Sequence, residues 1–380
     1  MHAKYITGAS YVRGRGIMVN IFSVPMPFNI DHIERIAAIN NNVSKSRIVY
    51  MYNTLPGNAA GLSGYEQTRV INNDIGSIED IIPYIRKVKQ HDIGFIYLIN
   101  SPAFLSENEF TKREPDLRAL LERLISEDVM DVRVCNPFIL DYITQEFPKI
   151  RIRCSTSQEY YTVRQYKRLL YLYHNIVEIV PSWDMNRNIL FLESLNTIPN
   201  LVVELMVNEG CLSGCPFRVY HSMFKPGNVD GGYSRFNSFF KMGCEKNFYD
   251  HFWENICMSN IIYPWQISAY NELGFYNFKL VGRNTNAFKT GKYIDIYRAY
   301  LMGVDDVSLI KDVPFSIFSN YIMGNPALAE LTVEKVMNLL PDMQFFINNR
   351  PNCGNSCGYT CHYCENLAKR LQKAYPLRCV

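Results

Sequence analysis

Along the first 281 residues, short runs of apolar and β-branched residues alternate with stretches whose apolar residues recur at three- and four-residue steps. Eight runs read as strands: Ile17 to Val24, Arg47 to Tyr52, Ile93 to Ile99, Val129 to Cys135, Ile150 to Cys154, Ile176 to Val180, Leu201 to Val207 and Tyr276 to Val281. Between them, Asp31 to Asn40, Ile78 to Gln90, Glu114 to Ser126 and Tyr160 to Tyr173 read as amphipathic helices. Strand and helix in alternation predict a parallel sheet. Eight such units predict an α/β chain closed as a (β/α)8 barrel of the TIM type, with a helix over Phe288 to Met302 completing the last unit. An open doubly wound sheet is the alternative, since periodicity does not report closure.

Polar residues follow the runs directly: Asn53 and Thr54, Asn100 and Ser101, Asn136, Ser155 to Gln158, Ser182 to Asp184, Asn208 to Cys211, and Gly282 to Asn284. In a parallel barrel these positions converge on one mouth, where such folds place their chemistry. Two segments break the alternation. After the seventh run, residues 208–265 form a connection too long for an ordinary loop, which points to a functional insertion. After residue 303 the alternation ends, so residues 1–303 read as the barrel and 304–380 as a C-terminal extension, with one amphipathic helix over Asn325 to Leu340.

The chain has 380 residues, 48% apolar and 20% charged, which excludes disorder, collagen and coiled coil and leaves ample material for a large core. The absence of a membrane-length apolar run and of a signal-peptide pattern predicts a cytoplasmic protein with no membrane partner. Lys and Arg number 39 against 36 Asp and Glu, spread without a basic block, so charge does not choose between peptide, small-molecule and RNA substrates.

Cysteine changes the picture. Of 11 cysteines, Cys211, Cys215, Cys244 and Cys257 lie in the long connection and Cys353, Cys357, Cys361 and Cys364 in the tail, with Cys135, Cys154 and Cys379 as singles. An odd number without a secretion signal favours reduced thiols and metal chemistry over disulfides. Four thiolates from one loop suit a tetrahedral zinc or the corners of an iron–sulfur cluster, and the irregular spacing of the first quartet suits the cluster better. Four buried, unligated cysteines are the plainer reading of the same grouping. The tail packs its four thiols into twelve residues, with Gly354 and Gly358 permitting tight turns; it reads as a second 4Fe-4S cluster relaying electrons or as a structural zinc. Its last three thiols are spaced as in radical S-adenosylmethionine enzymes, but a motif so near the end of the chain, with Cys353 closing the site, argues against that activity.

Glu209, at the end of the seventh strand beside Cys211, is a candidate proton donor or acceptor. Glu204, inside that strand, must be either outside the barrel or paired with a cation such as Lys279 or Arg283. His221 and His251 flank the loop cysteines and His362 the tail ones, as alternative ligands or surface residues. Aromatics of the loop, among them Phe248, Phe252 and Trp253, are expected to shield a metal. The Gly-rich stretch Leu55 to Gly64 lacks the pattern of a phosphate loop and reads as a lid, and no Ser-His-Asp or Gly-x-Ser-x-Gly signature is present.

The stretch around Asp131 to Pro148, the run Ile152 to Gln158, Glu204 followed by the cysteine loop, and Phe278-Lys-Leu-Val-Gly-Arg283 leading to Tyr293-Ile-Asp-Ile-Tyr297-Arg298 resemble the collagenase-like peptidase family over residues 16 to 303. The resemblance implies a (β/α)8 barrel with a 4Fe-4S cluster on the loop cysteines. Members of that family include peptidases and proteins of oxygen-independent ubiquinone and RNA hydroxylation. It therefore implies an iron–sulfur oxidoreductase working at the barrel mouth with an electron donor and a paralogous partner subunit. Peptide hydrolysis is the alternative activity, and a non-catalytic electron-transfer or scaffold protein is a third. The Gly-Arg pair of the family carries over to Arg283, suited to a carboxylate or phosphate of the substrate or to a rim salt bridge. The glutamate that precedes it in the family is Val281 here, so no role for that carboxylate transfers.

Overall fold

The computed structural model describes residues 12–13, 17–55, 75–100, 106–219, 243–244, 246–248, 250–282, 291–318, 330–353 and 355–376. Eight parallel strands close into a barrel: β1 Asn20–Pro25, β2 Ser46–Asn53, β3 Gly94–Ile99, β4 Asp131–Val134, β5 Arg151–Cys154, β6 Ile176–Ile179, β7 Val202–Met206 and β8 Asn277–Lys279, with β8 paired to both β7 and β1. The eight apolar runs are these eight strands. A two-residue antiparallel pair, Val12–Arg13 with Ile17–Met18, precedes the barrel.

Helices α1 Ile30–Ile39, α2 Ile78–Gln90, α3 Glu107–Ser126, α4 Pro137–Glu146, α5 Val163–Leu172 and α6 Ile189–Leu195 return the chain between the first seven strands. Side chains at the ends of the mouth loops start them. Asn29 accepts from the His32 amide at 2.9 Å, and Ser77, Ser106 and Thr162 open capping boxes with Asp80, Glu109 and Gln165. Asn136 accepts from the Phe138 amide at 2.9 Å with Pro137 in the first turn, so a residue that ends a strand also starts a helix. The inward stripes of these helices, for example Ile33, Ile36, Ile81, Ile85, Leu117 and Leu121, pack on the outward faces of the strands.

The long connection after β7 contains α7 Phe252–Met258 and α8 Ile267–Glu272, and α9 Tyr293–Asp305 completes the barrel. In the extension, the helix expected over residues 325–340 is, among the described residues, only α10 Val333–Val336 and a 3-10 turn Met337–Leu339. The backbone before them is spent on pairing: the Phe315 amide donates to the Leu331 carbonyl at 2.7 Å and Val333 to Val313 at 3.0 Å, which holds Leu331 and Thr332 extended. Then follow α11 Met343–Asn349 and α12 Tyr363–Ala374, and α12 lies along α7. Trp253 Nε1 donates to the Tyr375 carbonyl at 2.9 Å, and Leu367 and Leu371 join the main core. Among the described residues no helix is long and apolar enough to cross a membrane.

The barrel interior is ionic. Barrels of this class are commonly filled with branched apolar side chains, yet here Asp131, Arg133, Arg153, Glu178, Glu204 and Lys279 are all buried. Arg133 Nη2 lies 2.7 Å from Glu178 and 2.7 Å from Glu204, Arg153 pairs with Asp131 at 3.0 Å and with Glu178, and Ser23 donates to Glu204. Glu204 is thus inside the barrel and paired with a cation; the cation in contact is Arg133, with Lys279 near enough to influence its charge.

Candidate site at the barrel mouth

Polar contacts join the ends of β3, β4, β5 and β6. Asn100 Nδ2 faces Ser155 Oγ at 3.5 Å, Gln158 Nε2 donates to the Cys135 carbonyl at 3.2 Å, and Thr156 Oγ1 donates to the Pro181 carbonyl at 2.9 Å. Glu159 then accepts from Ser182 Oγ at 2.6 Å and from the Tyr161 hydroxyl at 3.0 Å. Its backbone is left-handed, φ 48°, where it closes the 3-10 turn Thr156–Gln158.

Arg218 joins this rim to the cysteine loop. Its guanidinium pairs with Asp184 at 2.8 Å, approaches Glu159 at 3.7 Å, donates to the Leu212 carbonyl at 2.6 Å and stands over the Trp183 ring at 5.0 Å. Asp184 also accepts from Ser213 at 3.2 Å and from the Gly214 amide at 3.3 Å, and Gly214 is left-handed at φ 64°. The loop that follows β7 is therefore tied to the loop that follows β6 through one carboxylate. Burial pushes the Glu159 carboxyl above its ordinary value, against the pull of Arg218 and its hydrogen bonds, so this group holds a proton more readily than a free glutamate.

Several buried polar atoms of the rim have no hydrogen-bond partner among the described residues: Asn100 Oδ1, Gln158 Oε1, Trp183 Nε1 and Arg218 Nε. Each such atom costs about 1–3 kcal/mol unless water or a ligand satisfies it. Two of these atoms are donors and two are acceptors.

Cys211, Cys215 and Cys244 are brought together here. Cys211 donates a thiol hydrogen bond to Cys215, which raises Cys211 along with burial. Cys215 is lowered by that bond but raised by its own bond to Cys244 and by burial, and ends above its ordinary value. Cys257 is placed elsewhere: it is buried on α7, and the charges that reach it are those of Cys364 and Arg187. Cys353, Cys357 and Cys361 lie within electrostatic reach of Cys364. Three soft sulfur donors in contact have the chemistry of a ligand set for zinc or an iron–sulfur cluster. Among the described residues, however, no set of three or more His, Cys, Asp or Glu is arranged to hold a metal ion.

Glu209 is half-buried, and its carboxylate accepts from the adjacent Gly210 amide at 3.0 Å. Arg283, His221, Cys379 and the Gly-rich stretch from residue 56 to 64 fall outside the described residues. Val281 is tied to Asn208 by reciprocal bonds of 2.7 and 3.1 Å, which clamps the end of β8 to that of β7. His251 and His362 are exposed and face Glu254 and Glu365. Phe248, Phe252 and Trp253 are buried together, edge to face, beside Cys257 on α7. Sequence reasoning pointed at Ser155 to Gln158 and at Ser182 to Asp184 but passed over Glu159 and Arg218. The signal available was position alone: Glu159 directly follows the polar run Ser155 to Gln158, and Arg218 lies three residues after Cys215.

No protein-family model matches the chain. It is similar to a protein of Methanocaldococcus jannaschii named an uncharacterized protease, with 21% identity over 306 residues, covering 78% of this chain and 82% of the relative. Among solved structures it is similar to the U32 peptidase Mk0906, with a TM-score of 0.44, 11% identity, and coverage of 72% of this chain and 97% of the other. It is also similar to the spore coat polysaccharide biosynthesis protein spsE of Bacillus subtilis, with a TM-score of 0.41, 9% identity, and coverage of 85% and 78%.

Proposed function

We propose, on the premise that the chain is assigned to the collagenase-like peptidase family, as its archaeal protease relative supports, that it is an enzyme hydrolysing peptide bonds at the mouth of its barrel. The observation that carries this reading is the Glu159–Arg218 pair on the rim, a carboxylate whose proton affinity burial raises, 3.7 Å from a guanidinium whose Nε has no hydrogen-bond partner among the described residues. Glu159 takes a proton from water as the water oxygen bonds to the scissile carbonyl carbon. Arg218 Nε donates to the carbonyl oxygen as it becomes negative. The carbon–nitrogen bond then breaks, and Glu159 returns the proton to the leaving nitrogen.

A second reading, oxygen-independent oxidation or hydroxylation, is favoured by one observation, the chain of thiol contacts from Cys211 through Cys215 to Cys244. Those three residues would hold an iron–sulfur cluster, and a bound cluster would supply one-electron redox capacity at the mouth. In that reading Glu159 and Arg218 bind and orient the substrate.

Incubation of the full chain, purified without oxygen, with a gelatin-derived peptide mixture separates the two. Hydrolysis gives paired products whose masses sum to the parent plus one water. Intact peptides with no new termini contradict hydrolysis, and a gain of one oxygen atom supports the second reading.

A further inference from the structure

The tail cysteines stand where the C-terminal segment crosses back over α7. Residues 355–361 make tight turns: the Asn355 and Ser356 amides donate to the Asn352 carbonyl at 3.1 and 2.9 Å, and the Thr360 and Cys361 amides to the Ser356 carbonyl at 3.0 and 2.9 Å. Cys357 and Cys361 bridge in parallel, and Gly358, left-handed at φ 72°, donates to the Cys361 carbonyl at 3.2 Å. The turns bring the thiols to the start of α12, which Tyr363 fixes by stacking on Phe345 at 3.6 Å.

Under this turn lies Arg187, buried. Its Nη1 donates to the Cys257 carbonyl at 2.6 Å and reaches the Cys364 sulfur at 4.0 Å, its guanidinium faces the Phe346 ring at 5.2 Å, and its Nη2 has no hydrogen-bond partner among the described residues. Among the described residues no carboxylate forms an ion pair with it. A buried guanidinium without an anion is costly, whereas a divalent metal held by four thiolates carries a net negative charge that balances it.

We propose that Cys353, Cys357, Cys361 and Cys364 form a thiolate centre for a soft metal, one zinc ion or one iron–sulfur cluster, with Arg187 as its buried counter-charge. The centre ties the C-terminal segment to the long connection after β7 and, through Arg187, to the loop after β6. Binding forms four metal–sulfur bonds and releases the four thiol protons to solvent. In this structure the thiols are gathered but not closed around one point, so binding draws the exposed turn inward.

Metal and acid-labile sulfide are counted on the full chain purified without oxygen, as wild type, Cys353→Ser/Cys364→Ser, Cys211→Ser/Cys215→Ser and, as a buried-thiol control, Cys135→Ser. The tail pair is expected to lose one zinc, or four iron with four sulfide, while the control and the mouth pair retain that centre. Zinc without sulfide identifies the single ion, and iron with sulfide the cluster. Because the tail variant can fail to fold, a second measurement uses the wild type: thiol titration in the native state is expected to find the four tail thiols protected until a mercurial releases the metal. Unchanged metal in the tail variant, or four freely titratable tail thiols in the native wild type, overturns the proposal.

Discussion

Arg133 Nη2 lies 2.7 Å from Glu178 Oε1 across the interior of the barrel, joining β4 to β6 where a branched apolar layer is the common solution. The same nitrogen is 2.7 Å from Glu204 on β7, so one guanidinium holds two buried carboxylates from different strands. Such an arrangement adds little net stability over an apolar core, but removing its centre leaves the buried Glu204 anion without its contacting cation and Glu178 with Arg153 alone. Arg133→Met is therefore expected to destabilise the chain by about 3–5 kcal/mol, read as a lower denaturant midpoint. A loss under about 1 kcal/mol would show that the two glutamates are neutral or solvated, the usual range for exposed pairs.

The two carboxylates titrate in opposite directions. Burial, with Glu204 nearby, pushes Glu178 up to about 7 against the attraction of Arg153. Burial also opposes the charge on Glu204, but Arg133, Lys279 and the Ser23 hydrogen bond outweigh it and hold that carboxyl below its ordinary value. For Glu178 the folded state keeps a proton that the unfolded chain gives up near 4.5, so its contribution is complete below that pH and is lost as pH rises toward 7. For Glu204 the contribution is present at neutral pH and is lost in acid. Denaturation of wild type and Glu178→Gln from pH 4.5 to 8 is expected to show wild-type stability falling relative to the variant as pH rises. A constant difference across that range contradicts the assignment.

At the mouth, Asn100 Oδ1 has no hydrogen-bond partner among the described residues and Asn100 Nδ2 makes a long contact of 3.5 Å to Ser155. Asn100→Ala removes an atom that no described residue satisfies, so a stability cost below about 1 kcal/mol is expected. If the same atom serves the substrate, KM rises several-fold while the melting temperature barely moves. A large stability loss with unchanged KM would make Asn100 a packing residue.

Arg218 connects two loops through Asp184 and Leu212, by geometry that a lysine cannot reproduce. Arg218→Lys keeps the charge but loses the fork, and turnover is expected to fall by about 10- to 100-fold, as for loss of a transition-state donor in part. Equal activity in the lysine variant would reduce its role to simple charge.

The barrel was legible because its strands are short β-branched runs with period two, separated by helical stripes and capping residues such as Ser77 and Thr162. Its ionic interior was legible only in outline. Asp131-Val-Arg133-Val and Arg151-Ile-Arg153-Cys alternate charge with apolar side chains, which is what an inward polar face requires, but which carboxylate meets which guanidinium depends on register between strands. Which cysteines come together was not legible in the sequence. Cys257 is close in sequence to Cys244 but lies on α7, whose surface is covered by α12 from the far end of the chain. The helix over 325–340 failed because strand-like pairing of Leu331 and Thr332 consumed the backbone that periodicity assigned to it.

The most direct measurement is peptide cleavage by Glu159→Gln beside the wild type at equal folded concentration. Glutamine preserves shape and the Ser182 contact but cannot carry the proton, so the rate is expected to fall by about 100- to 10,000-fold with an unchanged melting temperature. Cleavage at the wild-type rate in the glutamine variant would contradict proton transfer by Glu159 and with it the hydrolytic site at this mouth.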